Sequence, residues 1–361
     1  MSEGAYNKTW FHSTNAPYLE HGRPSNLTIL WKKEGGGGSS RQYLPENESA
    51  ICAPKTSESP VFYVVTPTLN VKTTIDRTIE SVISQAGNFS ICYHIQDGGS
   101  TDGTLDRLKH WESVLSGPNQ WIKCRNVVFT WSSDVDHGMY DAVVKGFDRM
   151  FINPNDFMTW INGDDELMKN AFAIVTKISK EFPEIQWLGG PIYVIDDNGP
   201  ILQRDAVTPA EVIREGLCDG HHWHHLQQEG MFFRKGLWFR GKHGLQGFRL
   251  AGDWNLWRVF AQYADLYQYS EPLGAFRRRK GQMSIDNLKE YQAEIDSTIS
   301  NNDRFQAFSR LYQNSDLFRF IISENESSGK CILKKDVDEV RKMFQYHWKN
   351  VHEHLLQIQS D

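Results

Sequence analysis

No stretch of this 361-residue chain reaches the roughly 18 consecutive apolar residues that a membrane-spanning helix needs, so no helical transmembrane segment is expected. The opening Met1-Ser-Glu-Gly-Ala-Tyr6 has no basic stretch running into an apolar one, so no secretory signal is read there. A basic excess is missing as well. With 39 Lys and Arg against 45 Asp and Glu, the formal net charge is −6, which excludes nucleic acid as a general partner. Paired cysteines are absent too: Cys52, Cys92, Cys124, Cys218 and Cys331 are scattered, odd in number and never spaced as CxxC. That pattern is expected of reduced thiols rather than of a disulfide framework or a structural zinc site. These absences point to the cytoplasm, and the sequon at Asn88-Phe-Ser90 carries no weight without a signal. No internal repeat is found.

What is present suffices for one large core with extensions, because 39% of residues are hydrophobic and 12% aromatic. Residues 1–58 read as a polar N-terminal extension, partly flexible through Gly35-Gly-Gly-Gly-Ser-Ser40. From Val61 the character changes. Val61-Phe-Tyr-Val-Val65, Ser90-Ile-Cys-Tyr-His-Ile95, Asn126-Val-Val-Phe-Thr130 and Asp156-Phe-Met-Thr-Trp-Ile161 read as strands. Helical patterns over 72–85, 103–111 and 140–151 alternate with them, the first placing Ile75, Ile79, Val82 and Ile83 on one face. Alternation of this kind predicts an α/β class with a mostly parallel central sheet flanked by helices. Residues 187–201 read as further sheet around a turn at Asp197-Asn-Gly199. The core is expected over 59–285. A helical C-terminal tail is expected over 286–361, packing on that core or pairing copies of the chain into a homo-oligomer.

In an open α/β sheet, ligands gather outside the carboxyl ends of the strands. Acidic residues collect there: Asp97 after the second strand, Asp134 and Asp136 after the third, Asp164 and Asp165 after the fourth. Asp and Gly are ordinary turn formers, but three acidic loops at successive strand ends suit a charged ligand better. A carboxylate repels a diphosphate unless a divalent cation lies between them. Mn²⁺ or Mg²⁺ accepts one or two carboxylates and fills its remaining positions with phosphate oxygens and water.

Four blocks stand in order along this half: Val64-Val-Thr-Pro-Thr-Leu-Asn70, Gln96-Asp-Gly-Gly-Ser-Thr-Asp-Gly-Thr104, Asp136-His-Gly-Met-Tyr-Asp-Ala-Val-Val-Lys-Gly146 and Trp160-Ile-Asn-Gly-Asp-Asp165. Together they resemble the family-2 inverting glycosyltransferases of the GT-A fold. Gln227-Gln-Glu-Gly-Met-Phe-Phe-Arg234, Leu250-Ala-Gly-Asp-Trp-Asn-Leu-Trp257 and Leu273-Gly-Ala-Phe-Arg277 resemble the acceptor half of that family's bacterial surface-polysaccharide branch. The resemblance covers about residues 60–285. It implies a nucleotide-sugar donor linked through UDP, GDP or dTDP, and a glycan or lipid-linked acceptor. Thr66 and Pro67 would line the base pocket, Asp97 would accept from the base, and Asp136 would border the nucleotide with Lys145 nearby. Asp164 and Asp165 match the DxD-type motif, with Asp165 the more direct metal ligand and Asp164 also on the nucleotide side. Asp253 falls where the family places its catalytic base, although a helix N-cap is the plainer role for that position. Asn162 at the first position of the motif, and Val144 where many relatives carry Asn, depart from the pattern.

On the acceptor side, Trp223, His225, Gln228, Glu229 and Trp254 are the candidates for sugar contact. An indole can pack on a sugar face, although Trp254 and Trp257 also share a helix face. His221-His-Trp-His-His225 matches no common zinc spacing, and His352-Glu-His354 falls short of HExxH. Arg277-Arg-Arg-Lys280 is either a surface charge run, a diphosphate contact or a peripheral contact with the inner face of an anionic membrane. Two rivals stand against the transferase reading. A sugar nucleotidyltransferase would need a Gly-rich basic loop after the first strand, which Thr66-Pro-Thr-Leu-Asn70 lacks. A degenerate glycan-binding protein of the same fold draws some support from Asn162.

Overall fold

A computed structural model describes residues 59–117, 122–204, 207–279, 287–314 and 316–358. The expected extension 1–58 lies outside the described residues, as does Lys280. The first half is built as the alternation predicts. Strand β1 (Val61–Thr68) leads into α1 (Ile75–Ile83), β2 (Ser90–Asp97) into α2 (Thr104–Ser116), and β3 (Asn126–Ser133) into α3 (Met139–Asp148), before β4 (Phe157–Trp160). β1 pairs in parallel with both β2 and β4, and β2 in parallel with β3. The carboxyl ends of these strands therefore share one edge. Register puts Asp97 beside Thr68 on one side and Ser133 on the other.

The sheet grows on its other side through short strands β6 (Trp187–Gly189), β9 (Phe232–Arg234) and β10 (Tyr267–Tyr269). The tail then adds a hairpin, β12 (Arg319–Glu324) and β13 (Cys331–Asp336), giving the order β13-β12-β10-β6-β9-β4-β1-β2-β3. A second sheet, in the order β5-β11-β7-β8, joins β5 (Glu166–Leu167), β7 (Ile192–Asp196), β8 (Gly199–Arg204) and β11 (Gly274–Arg277). The α/β class is as expected. The tail carries the expected helices, α8 (Leu288–Thr298), α9 (Asn301–Tyr312) and α10 (Asp338–Ile358), but the hairpin between them was not anticipated.

β1 is buried along its whole length, so its side chains feed two cores in alternation. Phe62 and Val64 join Ile75, Ile79, Val82 and Ile83 of α1 and the helix α4 (Ala171–Glu181). Phe62 stacks on Phe172 at 4.2 Å. Tyr63 and Val65 face the other way, toward the core shared by α3, α5 (Ala210–Arg214), α6 (Lys235–Gly241) and α7 (Gly252–Phe260). There Trp257 lies between Trp160 and Trp187, with ring centroids 5.2 and 5.5 Å away. Tail residues Ile295, Phe308, Leu317, Val340 and Phe344 belong to this second core, so the tail packs on the domain as an integral layer.

A buried charge network reinforces that docking. Arg304 of α9 donates from Nε to Asp219 Oδ2 at 2.8 Å, and His222 Nδ1 meets the same oxygen at 2.8 Å. Removing one partner of such a buried pair leaves an uncompensated charge and costs about 3–5 kcal/mol. Among the cysteines, Cys124, Cys218 and Cys331 are free thiols, whereas Cys92 is disulfide-bonded, a departure from the expectation of reduced thiols throughout. Among the described residues, no helix is long and apolar enough to cross a membrane.

One backbone crossing fixes the segment before β9 against β11. Gly230 has φ +79°, and a Cβ there would lie 2.7 Å from the Gly274 nitrogen on β11. Both the left-handed conformation and the approach of two backbones demand glycine. Gly230→Ala should therefore destabilise the fold by at least about 1 kcal/mol in urea denaturation. An unchanged midpoint would show that the crossing yields easily.

Candidate active site

The carboxyl edge of β1–β4 is a set of interlocked loops. Asp97 closes β2 and is fully buried, its two oxygens accepting from the Thr68, Ser100 and Ser133 hydroxyls and from the Gly99 and Ser100 N–H groups. With every acceptor site taken from within, Asp97 shapes the turn and does not face a base, contrary to the sequence expectation. Thr66 is likewise turned inward, its hydroxyl 2.9 Å from the Tyr93 hydroxyl, and Pro67 is buried beside it. The large apolar groups exposed at this edge are Leu69 and Val135, at 57% and 83% exposure. Sequence reading missed both, although large apolar residues among turn formers were the available signal. Asp136 lies over Gly98, where a Cβ would come within 2.6 Å of its Oδ2. Lys145 pairs with Asp141 at 2.7 Å and reaches the Val135 carbonyl at 3.4 Å.

Beyond β4, the two aspartates part company. Asp165 is fully buried, accepting at Oδ1 from the Arg277 N–H (2.8 Å) and at Oδ2 from the Asn162 amide (3.1 Å). Asp164 is buried too, but its side chain keeps 11% exposure, and Arg279 Nε donates to its Oδ2 at 2.7 Å. Of the two aspartates, expected as metal ligands with Asp165 the more direct, only Asp164 keeps any side-chain exposure. Asn162, a departure from the motif, has a local purpose. Its amide supplies a donor where an aspartate would have set another negative charge against Asp165.

Glu229 is buried directly behind Asp165. Gln228 Nε2 donates to Glu229 Oε1 at 2.7 Å, so these two acceptor-side candidates are tied to each other rather than presented outward. Glu229 Oε2 meets no donor group, yet the Asp165 carboxyl lies within hydrogen-bonding reach. A proton held between the carboxyls satisfies both observations. Burial, then the neighbouring Glu229 and Asp164, holds Asp165 well above the usual carboxylate range. Burial also pushes Glu229 up to about 7.

Asp253 enters the same region from the first turn of α7 and is partly exposed. The Tyr140 hydroxyl donates toward Asp253 Oδ1 at 2.9 Å and toward the Leu250 carbonyl at 2.7 Å. Burial raises Asp253 to about 6, opposed by hydrogen bonds from the Trp254 N–H and from Tyr140. Such a carboxyl is ionised at neutral pH yet basic enough to take a proton.

The expected aromatic sugar contacts are not there. Trp223 is fully buried, donating to the Val207 carbonyl at 3.0 Å and stacked on His347 at 4.7 Å. Trp254 is also in the core, bonded to the Gly216 carbonyl at 3.1 Å. His225 keeps partial exposure and sets its ring edge-on to Tyr291 at 5.4 Å. The neighbouring histidines diverge, His222 toward Asp219 and His224 toward Thr208, and no group of three metal-binding side chains exists among the described residues.

Residues 63–249 match the family model described as glycosyl transferase family 2. Over 233 residues, the chain is 25% identical to the PGL/p-HBAD biosynthesis glycosyltransferases of Mycobacterium bovis and Mycobacterium tuberculosis, covering 63% of this chain and 80% of those. Among solved structures, S. aureus TarS 1-349 in complex with UDP-GlcNAc is 15% identical with a TM-score of 0.46, covering 70% of each chain. Of the longer TarS structure, the chain spans 43%. The mannosyltransferase PcManGT from Pyrobaculum calidifontis, in complex with GDP-Man and Mn²⁺, is 13% identical with a TM-score of 0.42, covering 73% of this chain and 68% of that one.

A proton shared by Asp165 and Glu229 would have a measurable signature. Glu229 is raised in the folded state from 4.5 to about 7, so folding takes up a proton between those values and stability falls as pH rises through them. Glu229→Gln removes that contribution, worth at most about 3 kcal/mol. Its melting temperature should therefore drop less than the wild type's between pH 5 and pH 8. Parallel melting curves for the two proteins would refute the shared proton.

Proposed function

The chain belongs to glycosyl transferase family 2, and from that premise we propose that it inverts a sugar from a nucleoside-diphosphate donor onto an acceptor hydroxyl, with Asp253 as general base. The observation that carries this reading is Asp253 itself. It is a partly exposed carboxyl raised to about 6 and aimed by Tyr140, and its charge bears on Glu229, the neighbour of Asp165.

The acceptor hydroxyl gives its proton to Asp253 as its oxygen bonds to the anomeric carbon. On the opposite face the bond from that carbon to the diphosphate breaks, and the electron pair leaves with the diphosphate. Base assistance of this kind is worth about 10²–10⁴-fold in rate. Leu69 and Val135 offer apolar surface for the nucleobase, with Asp136 and Lys145 beside them. The donor set suits Mn²⁺ or Mg²⁺, since oxygen is the donor atom and one reachable carboxylate, Asp164, is enough for an ion that also takes phosphate oxygens. Such an ion would offset the charge of the leaving diphosphate. Arg279, which now neutralises Asp164, can turn to the diphosphate when Asp164 takes a cation. The acceptor is proposed to be a surface glycan or its lipid-linked precursor.

The test is a thermal-shift screen of UDP, GDP, dTDP and CMP with and without Mn²⁺, on wild type and Asp253→Asn. A nucleotide at about 100 times its Kd should add roughly 2.7 kcal/mol of stability. One diphosphate should shift both proteins in a metal-dependent way, while only the wild type turns over. No shift with any nucleotide would sink the donor site, and an active Asp253→Asn would sink the base. Wild-type turnover should also fall as pH drops through about 6, where Asp253 takes up its proton. Removing Arg279 (Arg279→Ala) should tighten Mn²⁺ binding in the absence of nucleotide, read by calorimetry. Weaker binding would show that Arg279 supports the cation site.

A further inference from the structure

The helix that carries Asp253 has no side-chain cap of its own, because its N-cap residue is Ala251. The preceding N–H groups still need acceptors. They find one in another part of the chain. Glu294 of α8 accepts from the Arg249 N–H at Oε1 (3.0 Å) and from the Leu250 and Ala251 N–H groups at Oε2 (2.9 and 2.8 Å). Three successive backbone donors thus converge on one carboxylate just ahead of Asp253. From the opposite side, Tyr140 holds the Leu250 carbonyl and Asp253 with one hydroxyl. Gly252 makes room for that ring, since a Cβ there would come within 2.6 Å of it.

We infer that Glu294, in the tail beyond the segment matched by the family model, is a positioning residue for Asp253. It fixes the Arg249–Ala251 segment, and so sets where the carboxyl at the start of α7 points. This rests on Asp253 being the base. The groups bearing on Asp253 are Glu294 and Tyr291 from α8, Tyr140 from α3, and Glu229 from the loop before β9. Among them Glu294 adds a negative charge that resists ionisation of Asp253. Charge-assisted bonds to three backbone groups are stronger than neutral ones, which suits a clamp. Second contacts of this type govern how well a reacting group is aimed, and a small misplacement can cost about 10²-fold in rate.

The experiment uses the full chain as wild type, Glu294→Gln, Glu294→Ala and Asp253→Asn. Asp253 is titrated by carboxyl ¹³C NMR, its signal identified by loss in Asp253→Asn. Release of nucleoside diphosphate from UDP-glucose, GDP-mannose and dTDP-glucose is followed with water as acceptor. Glu294→Gln keeps an acceptor oxygen but loses the charge, so the Asp253 midpoint should move to lower pH with turnover largely kept. Glu294→Ala loses the clamp, and turnover should fall about 10- to 100-fold with nucleotide binding unchanged. If Glu294→Ala does not fold, the midpoint in Glu294→Gln decides. If no donor is hydrolysed, the midpoints in both variants decide. Wild-type midpoints in both variants overturn the inference. An inactive Asp253→Asn with fully active Glu294 variants also overturns it while leaving the base intact. An active Asp253→Asn defeats the base reading instead, whatever the Glu294 variants do.

Discussion

Two carboxyl groups sealed from water, Asp165 and Glu229, meet where the two halves of the domain join. A pair like this cannot hold two full negative charges, so it keeps a proton or comes apart. Around it, the Arg277 N–H fixes β11 to the end of β4, Asn162 turns the loop that bears Asp164, and Gln228 holds the segment before β9. Asp164 keeps a small opening to solvent while its neighbour is turned fully inward. One aspartate of the motif is held by the core and the other by Arg279.

The order of the strands and helices was readable because β1 to β4 are short apolar runs ending in turn formers, a pattern with few alternative folds. Asp253 was readable as a carboxylate at the start of an apolar helix, although the N-cap there is Ala251, and the part proposed for it came from the family resemblance. The direction of each carboxylate was not. Asp97, Asp164 and Asp165 look alike in sequence. Which one faces water is decided by donors from distant segments, Ser133 for Asp97 and Arg277 for Asp165. Trp223 misled for a related reason. It sits in a His-rich segment that reads as surface, and what covers it is Phe344 and His347 of the last helix. The hairpin β12–β13 hid in a charged region where strand signals are short.

The tail therefore has two relations to the rest of the chain. Arg304 and the ring contacts of Phe308 with His222 and of Phe344 with Trp223 tie it to the core, while Glu294 of α8 accepts from the segment leading to Asp253. In both cases a tail residue completes something in the core: a buried charge in one, a row of N–H groups in the other. The boundary at about 285 is a boundary of composition more than of structure.

The hairpin also determines how the nine-stranded sheet meets water. Its outermost strand presents Lys334 and Lys335 to solvent, and charged edges of this kind discourage two sheets from joining side to side. Were the chain to stop after β10, the new rim would be Tyr267–Tyr269, an interior strand with buried Gln268 and Tyr269 and no guarding charge of its own. Its open N–H and C=O groups would be a template for a neighbouring molecule. The last strands thus act as a selvedge, keeping the molecule from unravelling into aggregates through its own sheet.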